Sequence, residues 1–241
     1  ACKSKCEPIL GYMLQGLDVE ESALEKGGDI NDIEIVYEDE HIVVVNKPSG
    51  VLSVPGIVGG MSVQQWLREE YLHSNELFVV HRLDMATSGV LVAAKSMDIY
   101  KSLQKQFAER QVKKCYKALL DGVPATLEGV IDLPLTPDYE NRPRQMVDFE
   151  NGKSAVTHYK VLETIEYKGK QCALVQFIPV TGRTHQLRVH AASVKGLDCP
   201  IVGDALYGSV DERLMLHAEY LRFQHPISGE TMKIICNINF V

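Results

Sequence analysis

Two runs of β-branched and aromatic residues, Ile33–Tyr37 and His41–Val45, stand three residues apart, and the arrangement returns at Val161–Glu166 and Cys172–Pro179 around Tyr167-Lys168-Gly169-Lys170. So short a connection leaves no room for a crossover helix, so each pair reads as an antiparallel hairpin. Further strand-like runs at Val79-Val80, Gly89–Ala94, Val112–Asp121, Pro200–Tyr207, Leu214–Gln224 and Thr231–Asn237 outnumber the helical patterns. The expected architecture is α+β: a mixed, mostly antiparallel central sheet with flanking helices and loops.

Helical spacing occurs at Ser62–His73, at residues 97–111 and at Thr184–Ser193. In the second of these Tyr100, Leu103 and Phe107 fall on one face, with Lys101, Lys105 and Arg110 on the other. Between residues 125 and 160, Pro134, Pro137 and Pro143 punctuate short strands, and Asn141-Arg142-Pro143-Arg144 forms a basic turn. Residues 1–32 read as an acidic N-terminal extension, with Leu10, Met13, Leu14 and Leu17 predicting a short helix outside the main core. Residues 33–241 read as one domain, with no internal repeat or obvious linker.

The formal charge of −7 excludes a chain that coats nucleic acid by bulk attraction, but the charge is unevenly distributed. Residues 1–40 hold eleven acidic groups and three lysines, which leaves the other 201 residues at +1. Within them, Arg82 to Lys117 carries eight basic residues against Asp84, Asp98 and Glu109. Charges act over about 8 Å at physiological salt, so a local excess of this kind can attract phosphate, although a solvated helix face has the same composition.

Six scattered cysteines without a C-x-x-C pair predict free thiols; Cys2 and Cys6 lie four apart, but no second pair completes a four-ligand site, so no metal is assigned. The histidines at 185, 190 and 217 are read as packed or hydrogen-bonded groups rather than ligands. No apolar run approaches the roughly 20 residues needed to cross a bilayer, and the first residues lack the layout of a secretory signal. The expectation is a cytoplasmic protein, a monomer with no membrane partner.

Three short segments are too polar for their apolar surroundings: His81-Arg82-Leu83-Asp84, Lys113-Lys114-Cys115-Tyr116 and Gly182-Arg183-Thr184-His185-Gln186-Leu187-Arg188. Loops held between strands are common seats of catalytic groups, and these supply one carboxylate, one phenol and several guanidinium groups. A carboxylate that attacks carbon while shielded from water needs a cation beside it, and arginine is suited to that. A structural salt bridge at a helix N-terminus would use the same residues.

The run His81-Arg82-Leu83-Asp84-Met85-Ala86-Thr87-Ser88-Gly89-Val90 resembles the H-R-L-D-x-x-T-S-G signature of the RluA family of pseudouridine synthases. Gly182 to Arg188 with His190 is similar to the family's G-R-[ST]-H-Q-[LI]-R-x-H segment, and Lys114-Cys115-Tyr116-Lys117-Ala118 to its K-x-Y-x-A segment. Pro200 to Asp204, Tyr207-Gly208 and Leu216-His217-Ala218 match later blocks. Met85-Ala86, Asp132 to Leu135, Asn141 to Pro143 and Gly152-Lys153 resemble the RluA branch, which modifies both large-subunit ribosomal RNA and transfer RNA anticodon stem-loops. Cys199, where the family usually has histidine, and residues 1–32 depart from the pattern.

The resemblance implies the pseudouridine synthase fold and isomerisation of uridine in structured RNA, without a cofactor. It assigns Asp84 as nucleophile, on the sugar or on the base ring, Tyr116 as the ring that stacks on uracil and could move a proton, Arg183 as the ion-pair partner of Asp84 and Leu216 as an apolar wall. His81 and Arg82 would face the substrate, Arg82 bracing the gap left by a flipped uridine. Lys101, Lys105, Arg110, Lys113 and Lys114 would hold phosphates of a stem-loop, with Arg142 and Arg144 on the opposite wall. Tyr116 could instead be a buried structural tyrosine, and Arg82 a surface arginine bonded to a carbonyl. The competing function is a non-catalytic RNA-binding or ribosome-assembly protein with the same fold.

Overall fold

A computed structural model describes residues 28–56, 60–71 and 76–240. Its strands are β1 (Glu34–Glu38), β2 (Ile42–Lys47), β3 (Phe78–Val79), β4 (Ser88–Ala94), β5 (Lys113–Leu120), β6 (Glu128–Asp132), β7 (Leu135–Pro137), β8 (Gln145–Val147), β9 (Val156–Tyr167), β10 (Lys170–Pro179), β11 (Leu216–Gln224) and β12 (Thr231–Ile235). The α-helices are α1 (Val63–Glu70), α2 (Met97–Ala108) and α3 (Gln186–Ala192). Ten strands form one sheet, ordered β1-β2-β4-β11-β5-β10-β9-β6, with β3 beside β4 and β12 beside β11; β7 and β8 pair separately. Every pairing in the large sheet is antiparallel except β4 with β11, so the expected mixed, mostly antiparallel α+β architecture is the one found.

Both predicted hairpins form. In the second, Lys168 and Gly169 both have positive φ (49° and 79°), the backbone a two-residue hairpin turn requires. Strand β4 is buried along its whole length because helices cover both its faces. Val90, Val92 and Ala94 pack with Ile99 and Leu103 of α2, while Leu91 and Ala93 pack with Val63 and Leu67 of α1. Helices α1 and α2 start on serine caps: Ser62 and Gln65 form a reciprocal capping box, and Ser96 accepts from the Ile99 amide. A third cluster joins β5 and β10 to α3 through Leu119, Val175, Phe177, Leu187 and Ala191.

Two expectations shift. Helix α2 stops at Ala108 rather than 111, because Arg110 takes a left-handed conformation (φ 58°) that ends the helical turn. Pro200–Tyr207 is a set of turns with one bridge, Leu120 to Ile201: the Asp204 carboxylate accepts from the Leu206 and Tyr207 amides and curls the chain. The helix expected near Leu10 to Leu17 lies outside the described residues.

Strands β4 and β11 run parallel at Ser88 and Gly89, and Gly89 pairs with Ala218. A Cβ there would lie 2.3 Å from the Ala218 carbonyl oxygen, and φ is +116°. Only glycine permits this contact, and the contact sets the nearby chain ends of the central strands against one another.

Candidate active site

Segments 80–87, 112–116 and 179–188, distant in sequence, line one cavity of about 710 Å³, together with part of α2 and Leu216 at the start of β11. Asp84 sits in a turn closed by the Thr87 amide on the Asp84 carbonyl. The turn is pinned from Lys47-Pro48-Ser49-Gly50: the Gly50 amide and the Lys47 ammonium donate to the Met85 carbonyl, and Ser49 Oγ donates to the Ala86 carbonyl. Ser53 Oγ bonds both the amide and the carbonyl of Leu83. Lys47 is fully buried, with Nζ donating to the Pro48, Val51 and Met85 carbonyls at 2.7–2.9 Å. Burial lowers its pKa to about 7, opposed by the charge of Asp84, and three acceptors match the three donors of an ammonium.

The Asp84 carboxylate is about one-third exposed, and its Oδ2 lies 3.9 Å from Nη1 of Arg188 and 4.0 Å from Nε2 of His185. This corrects the expectation for Arg183, whose exposed side chain lines the cavity but turns Nε to the Ser154 carbonyl at 3.0 Å. The difference follows from α3. Gln186 fixes its first turn by accepting from Thr181 Oγ1 and the Arg183 amide and donating to the Val156 carbonyl and Thr157 Oγ1. That leaves Arg183 outside and carries Arg188 inside. Asp204, fully buried, then grips Arg188 with two bonds, Nε to Oδ2 at 2.9 Å and Nη2 to Oδ1 at 2.7 Å. Nη1 is the nitrogen that faces Asp84.

Tyr116 lines the same cavity, and its ring packs between the cores on either side of the central strands. Burial, reinforced by Asp84, pushes its phenol well above the ordinary value, so Tyr116 is a neutral apolar platform with a hydroxyl rather than a ready base. Leu216 is buried and forms an apolar wall. His81 stacks on Phe107 with ring centroids 4.8 Å apart, and its Nε2 accepts from the Val92 amide. Burial, with Lys114 adding to it, lowers its pKa to about 3, so His81 is a neutral wall rather than a charged contact. Arg82 is exposed at the rim.

The expected cationic track divides. Lys114 and Arg110 line the cavity, and Lys114 alternates with the exposed Lys113 along β5. Burial lowers the Lys114 pKa. Lys101 and Lys105 lie exposed on α2 outside the cavity wall, Lys105 3.8 Å from Glu109. Arg142 lies over the Tyr139 ring and does not line the cavity; Arg144 lies over the Tyr207 ring at 5.2 Å, and Arg188 contacts the same ring at 5.3 Å. Among the described residues no group of three or more His, Cys, Asp or Glu side chains is placed to hold a metal.

His185 and Arg188 line the cavity, and Lys47, Asp204 and Tyr207 support the segments around it; none of the five is assigned a role from sequence. Arg188 and Asp204 stand inside motif segments and could have been found there; Lys47 shows only as part of a turn signal.

A carboxylate, a guanidinium, a neutral phenol and an apolar wall thus surround a space open to solvent, an arrangement that can hold a flat, uncharged ring beside a nucleophile. Residues 41–193 match the family described as RNA pseudouridylate synthase. The chain is 46% identical over 205 residues to the dual-specificity RNA pseudouridine synthase RluA of Escherichia coli, covering 82% of this chain and 90% of that protein. It is 47% identical over 212 residues to the protein of the same name from Haemophilus ducreyi, covering 83% and 90%. Among solved structures, human RNA pseudouridylate synthase domain containing 1 superposes with a TM-score of 0.75 at 33% identity, covering 89% of this chain and 86% of that one. The chain belongs to the RNA pseudouridylate synthase family and is an enzyme of that class, an isomerase.

Proposed function

We propose that this enzyme isomerises uridine in stem-loops of both large-subunit ribosomal RNA and transfer RNA, with Asp84 as its nucleophile. The names of its relatives support the dual substrate. The convergence of Asp84, Tyr116, Arg188 and Leu216 on one cavity carries the chemical part. Isomerisation breaks the bond from C1′ to N1, forms one from C1′ to C5, removes the C5 proton and protonates N1. It involves no net redox change, so positioned protein groups suffice.

A stacked uridine must first leave the helix, at a cost of a few kcal/mol. Arg82 at the rim braces the vacated position, Tyr116 and Leu216 sandwich the base, and Arg188 holds the carboxylate. Lys114, Arg110 and Arg183 meet phosphates at the cavity, while Lys101, Lys105, Lys113, Arg142 and Arg144 serve the flanking stem. Residues 33–241 make up the catalytic domain and residues 1–32 an extension to it. The enzyme works as a monomer in the cytoplasm; one chain supplies every wall described for the cavity.

The test is incubation of wild type and Asp84→Asn with total cellular RNA, followed by site-by-site mapping of pseudouridine. Wild type is expected to modify one ribosomal and at least one transfer RNA loop, and the variant to bind RNA without modifying it. Full activity of Asp84→Asn overturns the mechanism; wild type that binds but modifies nothing is a binding protein.

A further inference from the structure

His185 occupies an unusual place. It caps α3 in a left-handed conformation (φ 52°), a backbone state that non-glycine residues rarely adopt, and its cap makes no side-chain hydrogen bond to the helix. The conformation turns the imidazole away from its own helix and into the cavity, with the side chain about one-tenth exposed. Its two nitrogens then face different groups: Nδ1 lies 2.9 Å from the Tyr207 hydroxyl, and Nε2 lies 4.0 Å from Oδ2 of Asp84.

The Tyr207 hydroxyl favours one placement of the ring proton. Its oxygen already accepts the Gln145 amide at 2.7 Å. Burial raises the Tyr207 pKa to about 12, so the phenol keeps its hydrogen and has one bond to donate. The acceptor within reach is His185 Nδ1. An imidazole that accepts at Nδ1 carries its proton on Nε2, the nitrogen directed at the carboxylate. The Asp84 side favours the same tautomer independently, since a bare Nε2 lone pair facing a carboxylate would be repelled. Burial lowers the His185 pKa, which keeps the ring singly protonated. Tyr207 is itself held in place by the Gln145 amide on its hydroxyl and by the guanidinium groups of Arg188 and Arg144 against its ring.

We propose that His185 is a positioning residue for the isomerisation: locked by Tyr207 as the Nε2–H tautomer, it joins Arg188 in holding Oδ2 of Asp84, and so leaves Oδ1 as the oxygen that attacks. The inference rests on Asp84 being the nucleophile. Arg188 and His185 approach the same carboxylate oxygen, at 3.9 and 4.0 Å, from the side of α3. Contacts of this length tighten when substrate enters and expels water. A guanidinium alone could rotate a carboxylate by offering either of its oxygens two donors; a second donor on Oδ2, fixed by a separate anchor, selects one orientation.

The tautomer is read directly by NMR on protein with 15N-labelled histidine rings, the His185 signals being assigned by their loss in His185→Gln. Wild type is expected to show Nε2–H, and Tyr207→Phe, which removes one oxygen and keeps the stacked ring, to shift the ring toward Nδ1–H. A wild-type ring protonated on Nδ1 overturns the inference without reference to activity. In single-turnover assays, His185→Leu and Tyr207→Phe are expected to slow isomerisation by up to about 100-fold with RNA affinity unchanged, the scale of a misplaced reacting group. His185→Gln, whose amide can donate to Oδ2, is expected to recover most of the rate lost in His185→Leu. A full rate in His185→Leu, or a glutamine variant as slow as the leucine one, also overturns it. Asp84→Asn separates the two levels: if that variant is active the nucleophile assignment fails, whereas an inactive Asp84→Asn beside a fully active His185→Leu rejects the positioning role alone.

Discussion

Replacing Asp204 by asparagine should uncouple Arg188 from its anchor, and the structure sets the scale of the loss. The two charged bonds, at 2.9 and 2.7 Å, join side chains that are 7% and 0% exposed, so neither group can turn to water when the other is changed. Breaking a buried pair from one side costs about 3–5 kcal/mol, because the remaining charge stays desolvated. Asparagine keeps one acceptor oxygen, so the lower end applies: about 3 kcal/mol, or a melting temperature lower by roughly 6–12 °C for a chain of this size. Activity should fall further than stability predicts, since a guanidinium released from Asp204 no longer presents a single Nη1 to Asp84. Thermal unfolding gives the first quantity and single-turnover isomerisation at a temperature where the variant is folded gives the second. Arg188→Met combined with Asp204→Leu, which replaces the pair by apolar groups, should recover most of the stability and none of the activity. A melting temperature lowered by less than about 2 °C in Asp204→Asn, with an unchanged rate, would refute the claim that this pair holds Arg188 in place.

The sheet was legible because its signals are local. Alternating β-branched runs and the Lys168-Gly169 turn are written in adjacent residues, and pairing them needs no distant information. The site was legible only as far as motif segments go. Arg183 and Arg188 are both arginines in one segment, and which of them reaches Asp84 depends on where α3 begins. That start is set by Gln186 bonding across to Val156 and Thr157, thirty residues earlier. Lys47 was hidden for a similar reason: a lysine before Pro-Ser-Gly has the composition of a solvated turn, and of the three carbonyls that hold its ammonium one, Met85, comes from the Asp84 turn 38 residues later. His185 was read as a packed histidine, and the hydrogen bond that gives it a direction comes from Tyr207 in a stretch that periodicity assigned to a strand.

Gly89→Ala should be among the most damaging single-methyl changes. A Cβ 2.3 Å from the Ala218 carbonyl oxygen, at φ +116°, combines backbone strain of about 1–3 kcal/mol with overpacking of a similar size, so a loss of at least about 2 kcal/mol in urea unfolding is expected, and a loss below about 1 kcal/mol would contradict the contact. Acid should destabilise the enzyme well before its carboxylates titrate. Burial holds His81 down to about 3 and His217 down to about 4; His217 sits between Ser88 Oγ on Nδ1 and the Cys236 carbonyl on Nε2. In the unfolded chain both rings take up a proton near pH 6.5, whereas the folded protein refuses it, so between pH 6.5 and 4 the unfolded state binds more protons and stability falls as pH falls. Each ring contributes up to about 1.4 kcal/mol per pH unit across that window, and His217→Asn should remove its share of the slope. Denaturant unfolding at pH 7, 6, 5 and 4 reads the slope, and a stability that stays level from pH 6.5 to 5 would mean that the two buried imidazoles accept protons in the folded state after all.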